Sequence, residues 1–138
     1  MIPQEYQYQY RRSKRAREGK YNAHKVTTAF GKFDSSHEYN VFLNLLDKQE
    51  RGLISDLHRQ VEYELIPAQY EKVIKHLKKR DKEVEVCVEK KCSYYADFTF
   101  TDCDGKFHVL DAKGMKTDVY KLKKKLMLWR HGIKIEEV

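Results

Sequence analysis

Cysteine is scarce: 3 residues in 138, an odd number with no CxxC pair. So few thiols do not make a disulfide framework, and the reading is a reduced, intracellular chain. No glycine-rich phosphate loop occurs, and no nucleophile elbow supports Ser/His/Asp catalysis. No apolar run approaches the roughly 18 to 20 residues of a membrane span, and the N-terminus is polar and basic, unlike a signal peptide. There is no internal repeat. What the chain has is charge. Charged residues make up 36%, with 28 Lys and Arg against 21 Asp and Glu, for a net +7. Apolar residues, at 41%, suffice for one modest core. The expected class is a single soluble, cytoplasmic, basic domain whose partner is a polyanion, nucleic acid before an anionic membrane.

Residues 1–22 stand apart. Tyr6, Tyr8 and Tyr10 alternate with Gln, and Arg11, Arg12, Lys14, Arg15, Arg17 and Lys20 follow with almost no aliphatic residues. Nothing there can bury a face, so the segment reads as a flexible basic arm, ordered on a partner or simply solvated. The folded domain is expected over residues 23–138. A short β segment runs from Ala23 to Phe33 with a tight turn at Gly31. Ser35-Ser36-His37-Glu38 matches a capping box ahead of the helical stripe Val41, Phe42, Leu45 and Leu46, which Gly52 closes. Period two then takes over from His58 to Leu65, and Pro67 ends that strand. Tyr70, Val73, Ile74 and Leu77 fit a short helix within the lysine-rich stretch 70–83, and Val84, Val86 and Val88 suggest another strand. In the hairpin Tyr94–Lys113, Tyr94, Ala96, Phe98 and Phe100 are expected on one face. A last helix starts at the N-cap Thr117, buries Val119, Leu122, Leu126 and Trp129, and stops at Gly132. The order implies an α/β or α+β domain around a mixed sheet.

The hairpin carries the chemistry. A three-residue loop Cys103-Asp104-Gly105 pairs Asp102 with Lys106, and counting outward sets Asp97 opposite Asp111. Paired positions share a face with Cβ atoms roughly 4.5 to 5.5 Å apart, so two carboxylates there repel unless a cation or a proton intervenes. Lys113 shares that face, two positions on. Mg²⁺ suits such a place, since it takes a few carboxylates together with waters and phosphate oxygens. A neighbouring lysine can then orient a water and steady charge on a phosphate. Glu38, one turn before Phe42, leans toward the same region, although a capping-box Glu can simply bind the Ser35 backbone. An exposed sheet face with an ordinary salt bridge is the plain alternative for Asp97, Asp111 and Lys113.

Asp97, then Asp111-Ala112-Lys113, with Glu38 on a preceding helix, resemble the signature of PD-(D/E)XK nucleases. The wider blocks Phe33-Asp34-Ser35-Ser36-His37-Glu38, Tyr95-Ala96-Asp97-Phe98 and Asp111-Ala112-Lys113-Gly114-Met115-Lys116-Thr117 are similar to a small phage- and prophage-borne family, domain of unknown function 1064, placed in that superfamily. The resemblance covers about Tyr21 to Val138. It implies a restriction-endonuclease-like core, a central mixed sheet flanked by helices. It further implies Asp97 and Asp111 as Mg²⁺ ligands (Mn²⁺ able to substitute), Glu38 assisting, and Lys113 positioning the water for phosphodiester hydrolysis. Asp stands at 111 where many members carry Glu. Gln60 is the candidate for an accessory glutamine.

Lys116, Lys121, Lys124 and Lys125 on the last helix, with Arg11, Arg12 and Arg15 of the arm, are the expected DNA contacts, duplex or branched. A merely solvated helix face is the alternative. Tyr6, Tyr8, Tyr10 and Tyr21 could stack on unpaired bases. Cys87, Cys92, Cys103 and His108 match no standard zinc spacing, which leaves buried or idle thiols as the default. The leading expectation is a Mg²⁺-dependent DNA endonuclease working in phage DNA processing or recombination. Its rivals are a non-catalytic DNA-binding protein on the same fold and an RNA-binding protein, which the paired aspartates do not suit. One site in so small a chain cuts two strands by acting twice or as a homodimer.

Overall fold

Gly31, at φ 111°, lets the chain reverse between β1 (Val26–Thr28) and β2 (Gly31–Phe33). These belong to a computed structural model that describes residues 25–138. The arm, with Arg11, Arg12, Arg15 and Tyr6, Tyr8, Tyr10 and Tyr21, lies outside the described residues. Helix α1 (Ser36–Glu50) starts as expected: the Ser35 hydroxyl accepts the Glu38 N–H at 3.1 Å. Glu38 does not return the bond to Ser35. Its Oε2 accepts from the Asp34 N–H at 3.0 Å, one residue further back.

β3 (Ile54–Ile66) begins four residues earlier than the alternation suggested and carries two non-glycine residues at positive φ, Asp56 and Gln60. With β6 (Cys92–Asp102), β7 (Phe107–Asp111) and β8 (Glu136–Glu137) it forms a four-stranded mixed sheet in the order β3-β6-β7-β8. The first two pairings are antiparallel and β7–β8 is parallel. Helix α2 (Asp118–His131) joins β7 to β8, capped by Thr117 and by Gly132 in the left-handed conformation. The protein is thus mixed α and β, with two helices against one mixed sheet.

Two of the expected elements are corrected. Residues 70–83 are not helical: β4 (Gln69–His76) and β5 (Asp81–Glu89) pair as an antiparallel ribbon. The helical spacing was coincidental, and the β-branched pair Val73 and Val84, directly opposite each other, decides for strand. On α2 the buried residues are Tyr120 and Met127, while Val119, Leu122 and Trp129 are exposed, Trp129 at 79%. The helix turns to the sheet the side where Tyr120 and Met127 lie two turns apart, not its most apolar stripe.

Apolar side chains divide into two cores. Phe33, Phe42, Leu45, Ile54, Phe98 and Leu110 surround α1; Leu65, Tyr94, Ala96, Val109, Tyr120, Met127 and Ile135 surround α2. Val109 and Leu110 are adjacent in β7 and point to opposite faces, so the helices lie on opposite sides of that strand. Along β6, the single face expected for Tyr94, Ala96 and Phe98 does not hold, since Tyr94 and Ala96 join the α2 core and Phe98 joins the α1 core. The change falls at Asp97. Across from it, between the pairs Arg59–Phe98 and Val61–Ala96, sits Gln60 at φ 52°.

Candidate active site

The turn sets the register. The Asp102 N–H donates to the Lys106 carbonyl at 2.9 Å, and the ladder runs from Thr101–Phe107 to Phe98–Leu110. Pairing stops there, and Asp97 and Asp111 stand one step beyond, where the Ala112 N–H donates to the Asp97 side chain. The two carboxylates are held differently. Asp111 is 1% exposed. Its Oδ2 accepts from the Tyr94 hydroxyl at 2.6 Å, while Oδ1 is buried without a hydrogen-bond partner among the described residues, the Lys113 Nζ standing 3.6 Å away. Asp97 is half-buried. Its Oδ2 accepts from the Ala112 N–H at 2.8 Å, and its Oδ1 accepts from Gln60 Nε2 at 3.3 Å.

Gln60 joins the third acid. The same Nε2 donates to Glu38 Oε1 at 3.2 Å, so one amide group bridges two carboxylates. Glu38 is buried, held by α1 on one side and by the Asp34 N–H on the other. Lys113 follows β7 with its ammonium 5.1 Å from the centre of the Tyr120 ring. Asp34, Ser35, His37, Glu38, Asp97, Ala112, Lys113, Gly114 and Met115 line a cleft of about 490 Å³. All five residues singled out from the sequence, Glu38, Gln60, Asp97, Asp111 and Lys113, therefore meet at the seam between the two cores.

Electrostatics follow from that crowding. Burial first, then the Asp111 carboxylate, and more weakly Glu38 push the Asp97 carboxyl up to about 7, against the Ala112 N–H and Lys113, which pull it down. The Tyr94 hydroxyl is driven well above the ordinary phenol range, mainly by burial and then by its bond to Asp111, so it stays a proton donor to that carboxylate. Among the described residues no three carboxylate, imidazole or thiolate groups form a ready metal cage. The donor set nevertheless fits a hard cation that keeps most of its waters. Two hard carboxylates stand just past the end of the β6–β7 ladder, one oxygen is orphaned and buried, and three acids outnumber a single lysine.

Sequence reasoning missed Tyr94, which alternation assigned to the face away from the acids; no spacing signal reveals the change of side at Asp97. It missed Arg59 as well. The guanidinium lies 3.7 Å over the Phe33 ring and donates to the carbonyls of Lys32 at 2.8 Å and Phe30 at 3.2 Å, tying β1 and β2 to the sheet.

The four lysines expected on the last helix also gather, although Lys116 lies just before its N-cap Thr117 and not on α2. Lys116, Lys121, Lys124 and Lys125, with Lys134, line a second cleft of about 480 Å³ beside Tyr120. Two of them are already partnered, since Lys116 and Lys124 both bind Glu137 and hold its carboxyl down to about 2. Cys87 and Cys103 are exposed free thiols and Cys92 is half-buried. His108 is bound instead by Asp102 and Glu136, at 2.8 and 2.6 Å. No helix among the described residues is long and apolar enough to cross a membrane. No curated protein and no solved structure matches the chain. A family model matches residues 18–135, which take in Glu38, Gln60, Asp97, Asp111 and Lys113 and every element but β8, and the chain belongs to that family, described as “Protein of unknown function (DUF1064)”.

Proposed function

We propose that this protein is a metal-dependent DNA endonuclease with a restriction-endonuclease-like core of the PD-(D/E)XK type, phage- or prophage-encoded and acting in the bacterial cytoplasm on duplex or branched DNA. The observation that carries the reading is the gathering of Glu38, Asp97 and Lys113 on one cleft, with Gln60 bridging the first two and Asp111 buried beside Lys113, its carboxylate raising that of Asp97. Asp97 and Asp111 would hold Mg²⁺ or Mn²⁺, with Glu38 across the Gln60 amide. When bound, such an ion supplies Lewis-acid charge opposite a phosphate.

The chain's own groups do the rest. Tyr94 aims the Asp111 carboxyl by donating to its Oδ2, and the Ala112 N–H aims that of Asp97 in the same way. Lys113, partly exposed on the cleft wall, is placed to orient a water by donating to it and to offset negative charge as that water adds to phosphorus and the sugar oxygen departs. The Gln60 amide, shared between two acids, holds their spacing. Homodimerisation or two successive nicks would complete a double-strand cut.

The test is nicking of supercoiled plasmid with and without Mg²⁺, using Asp111→Asn and Lys113→Ala beside the wild type. Nicking that needs the ion and falls by about 10²-fold or more in each variant is expected. Identical traces from all three proteins overturn the enzyme reading, and plasmid binding without cleavage then leaves the non-catalytic DNA-binding alternative.

A further inference from the structure

The β4–β5 ribbon has no core to account for it. It continues the β3–β6 pair beyond Ile66 and Cys92, past Pro67, and closes through the bond from the Leu77 N–H to the Arg80 carbonyl. Along both strands only Val73 and Val84 are half-buried; Tyr70, Ile74, Val86 and Val88 are exposed. A two-stranded ribbon with no covered face is marginal in water. This one also sets Lys75 directly opposite Lys82, a repulsive pairing.

Charge concentrates at the far end. Residues 75–82 hold Lys75, Lys78, Lys79, Arg80 and Lys82 against one acid, Asp81, which is 2.8 Å from the His76 ring. No acidic side chain among the described residues pairs with any of those five cations. The β4 strand, at 8 residues, is about 26 Å long at roughly 3.3 Å per residue. The B-form major groove, about 12 Å wide, admits a two-stranded ribbon, whereas the deep, narrow major groove of A-form RNA does not.

We infer that the β4–β5 ribbon lies in a groove of double-stranded DNA and grips its phosphates through Lys75, Lys78, Lys79, Arg80 and Lys82. This rests on the nuclease reading for its setting and deepens it, because a groove-seated arm makes duplex the substrate. The alternative use of lysine on a bare edge is to discourage strand pairing between molecules, which would leave DNA affinity unchanged when the charge is removed.

Binding is measured by fluorescence anisotropy in EDTA, where cleavage plays no part, with the full chain, a labelled DNA duplex and an RNA duplex of the same sequence. The triple variant Lys78→Gln, Lys79→Gln, Arg80→Gln alters an exposed turn, and an unchanged thermal melt verifies its fold. The expected result is at least about tenfold weaker binding to the DNA duplex, a log–log salt slope shallower by about 2 to 3, and a smaller loss on RNA. Lys75→Gln with Lys82→Gln should weaken DNA binding likewise while raising thermal stability. The proposal is overturned if wild type fails to bind duplex DNA, if the triple variant binds within about twofold of wild type, or if DNA and RNA affinities fall equally. Asp111→Asn serves as the separating arm. Ribbon-dependent binding without any Mg²⁺-dependent nicking sinks the enzyme reading alone, and nicking that ignores the ribbon charges sinks the ribbon alone.

Discussion

Asp97 is where the costs of the site collect. Its carboxyl is raised from an ordinary 3.8 to about 7, chiefly by burial and by Asp111. An acid with a raised folded pKa binds more protons folded than unfolded, so it lowers stability as pH climbs through that interval. Asp97→Asn should therefore melt higher than wild type at pH 8 in metal-free buffer, by a few degrees, while losing nicking. A differential scanning measurement showing it less stable at every pH would contradict this account. Tyr94→Phe tests the opposite case. It strips the donor from a buried carboxylate and should cost about 1 to 3 kcal/mol in a urea titration. The register that brings Asp97 and Asp111 to the end of the ladder, one step past Phe98–Leu110, was legible because loop length alone sets antiparallel register, and Asp102-Cys103-Asp104-Gly105-Lys106 left few choices. Tyr94 was not legible. Its role depends on a change of side in the sheet opposite Gln60, and no composition or spacing rule announces a glutamine at φ 52°.

Among the elements, those with local stop and start chemistry were readable and those decided by partners were not. Ser35, Thr117 and Gly132 act on their own backbone neighbours, so both helices begin and end where capping rules put them. Which face of α2 is buried is settled by the sheet it meets, and the most apolar stripe ended in solvent. The ribbon was misread for the same reason, since Val73 declares itself a strand residue only opposite Val84. Arg59 shows how an element junction is fastened. Its guanidinium replaces the apolar side chain that would otherwise cover Phe33, and it satisfies two loop carbonyls at once. Arg59→Ala should cost on the order of 2 to 4 kcal/mol, and Arg59→Lys should recover little of it, because an ammonium cannot stack and fork together. Urea midpoints for the two variants decide this; a lysine variant as stable as wild type would show the stacked fork to be dispensable. The loosened β1–β2 pair should also blunt nicking, as Asp34, at its end, anchors Glu38.

At the scale of the whole molecule these local charges add to one stability curve. Glu137, held to about 2 by Lys116 and Lys124, contributes stability that is present above its ordinary 4.5 and lost as pH falls toward 2. His108 is raised above 6.5 by Asp102 and then Glu136, so its contribution is complete below 6.5 and fades as pH rises through the elevated value. Asp97 removes stability from 3.8 upward to about 7. The metal-free protein should thus be most stable near about pH 5 and decline toward pH 8. His108→Gln should flatten the upper part of that decline, and Asp97→Asn the lower. On the proposed function, Mg²⁺ should change the balance by binding the ionised carboxylates of the folded state only, adding about 2.7 kcal/mol at a hundred times its dissociation constant. Protons and the ion would then compete for Asp97, so that gain should grow with pH and the maximum should move toward neutrality. Melting temperatures from about pH 4 to 9, with EDTA and with Mg²⁺, trace both curves for wild type, Asp111→Asn and Asp97→Asn. The two curves should separate above pH 6 in wild type and coincide in both variants. A wild-type curve that Mg²⁺ leaves in place would mean the paired aspartates hold no divalent ion, and their repulsion would then need another cause.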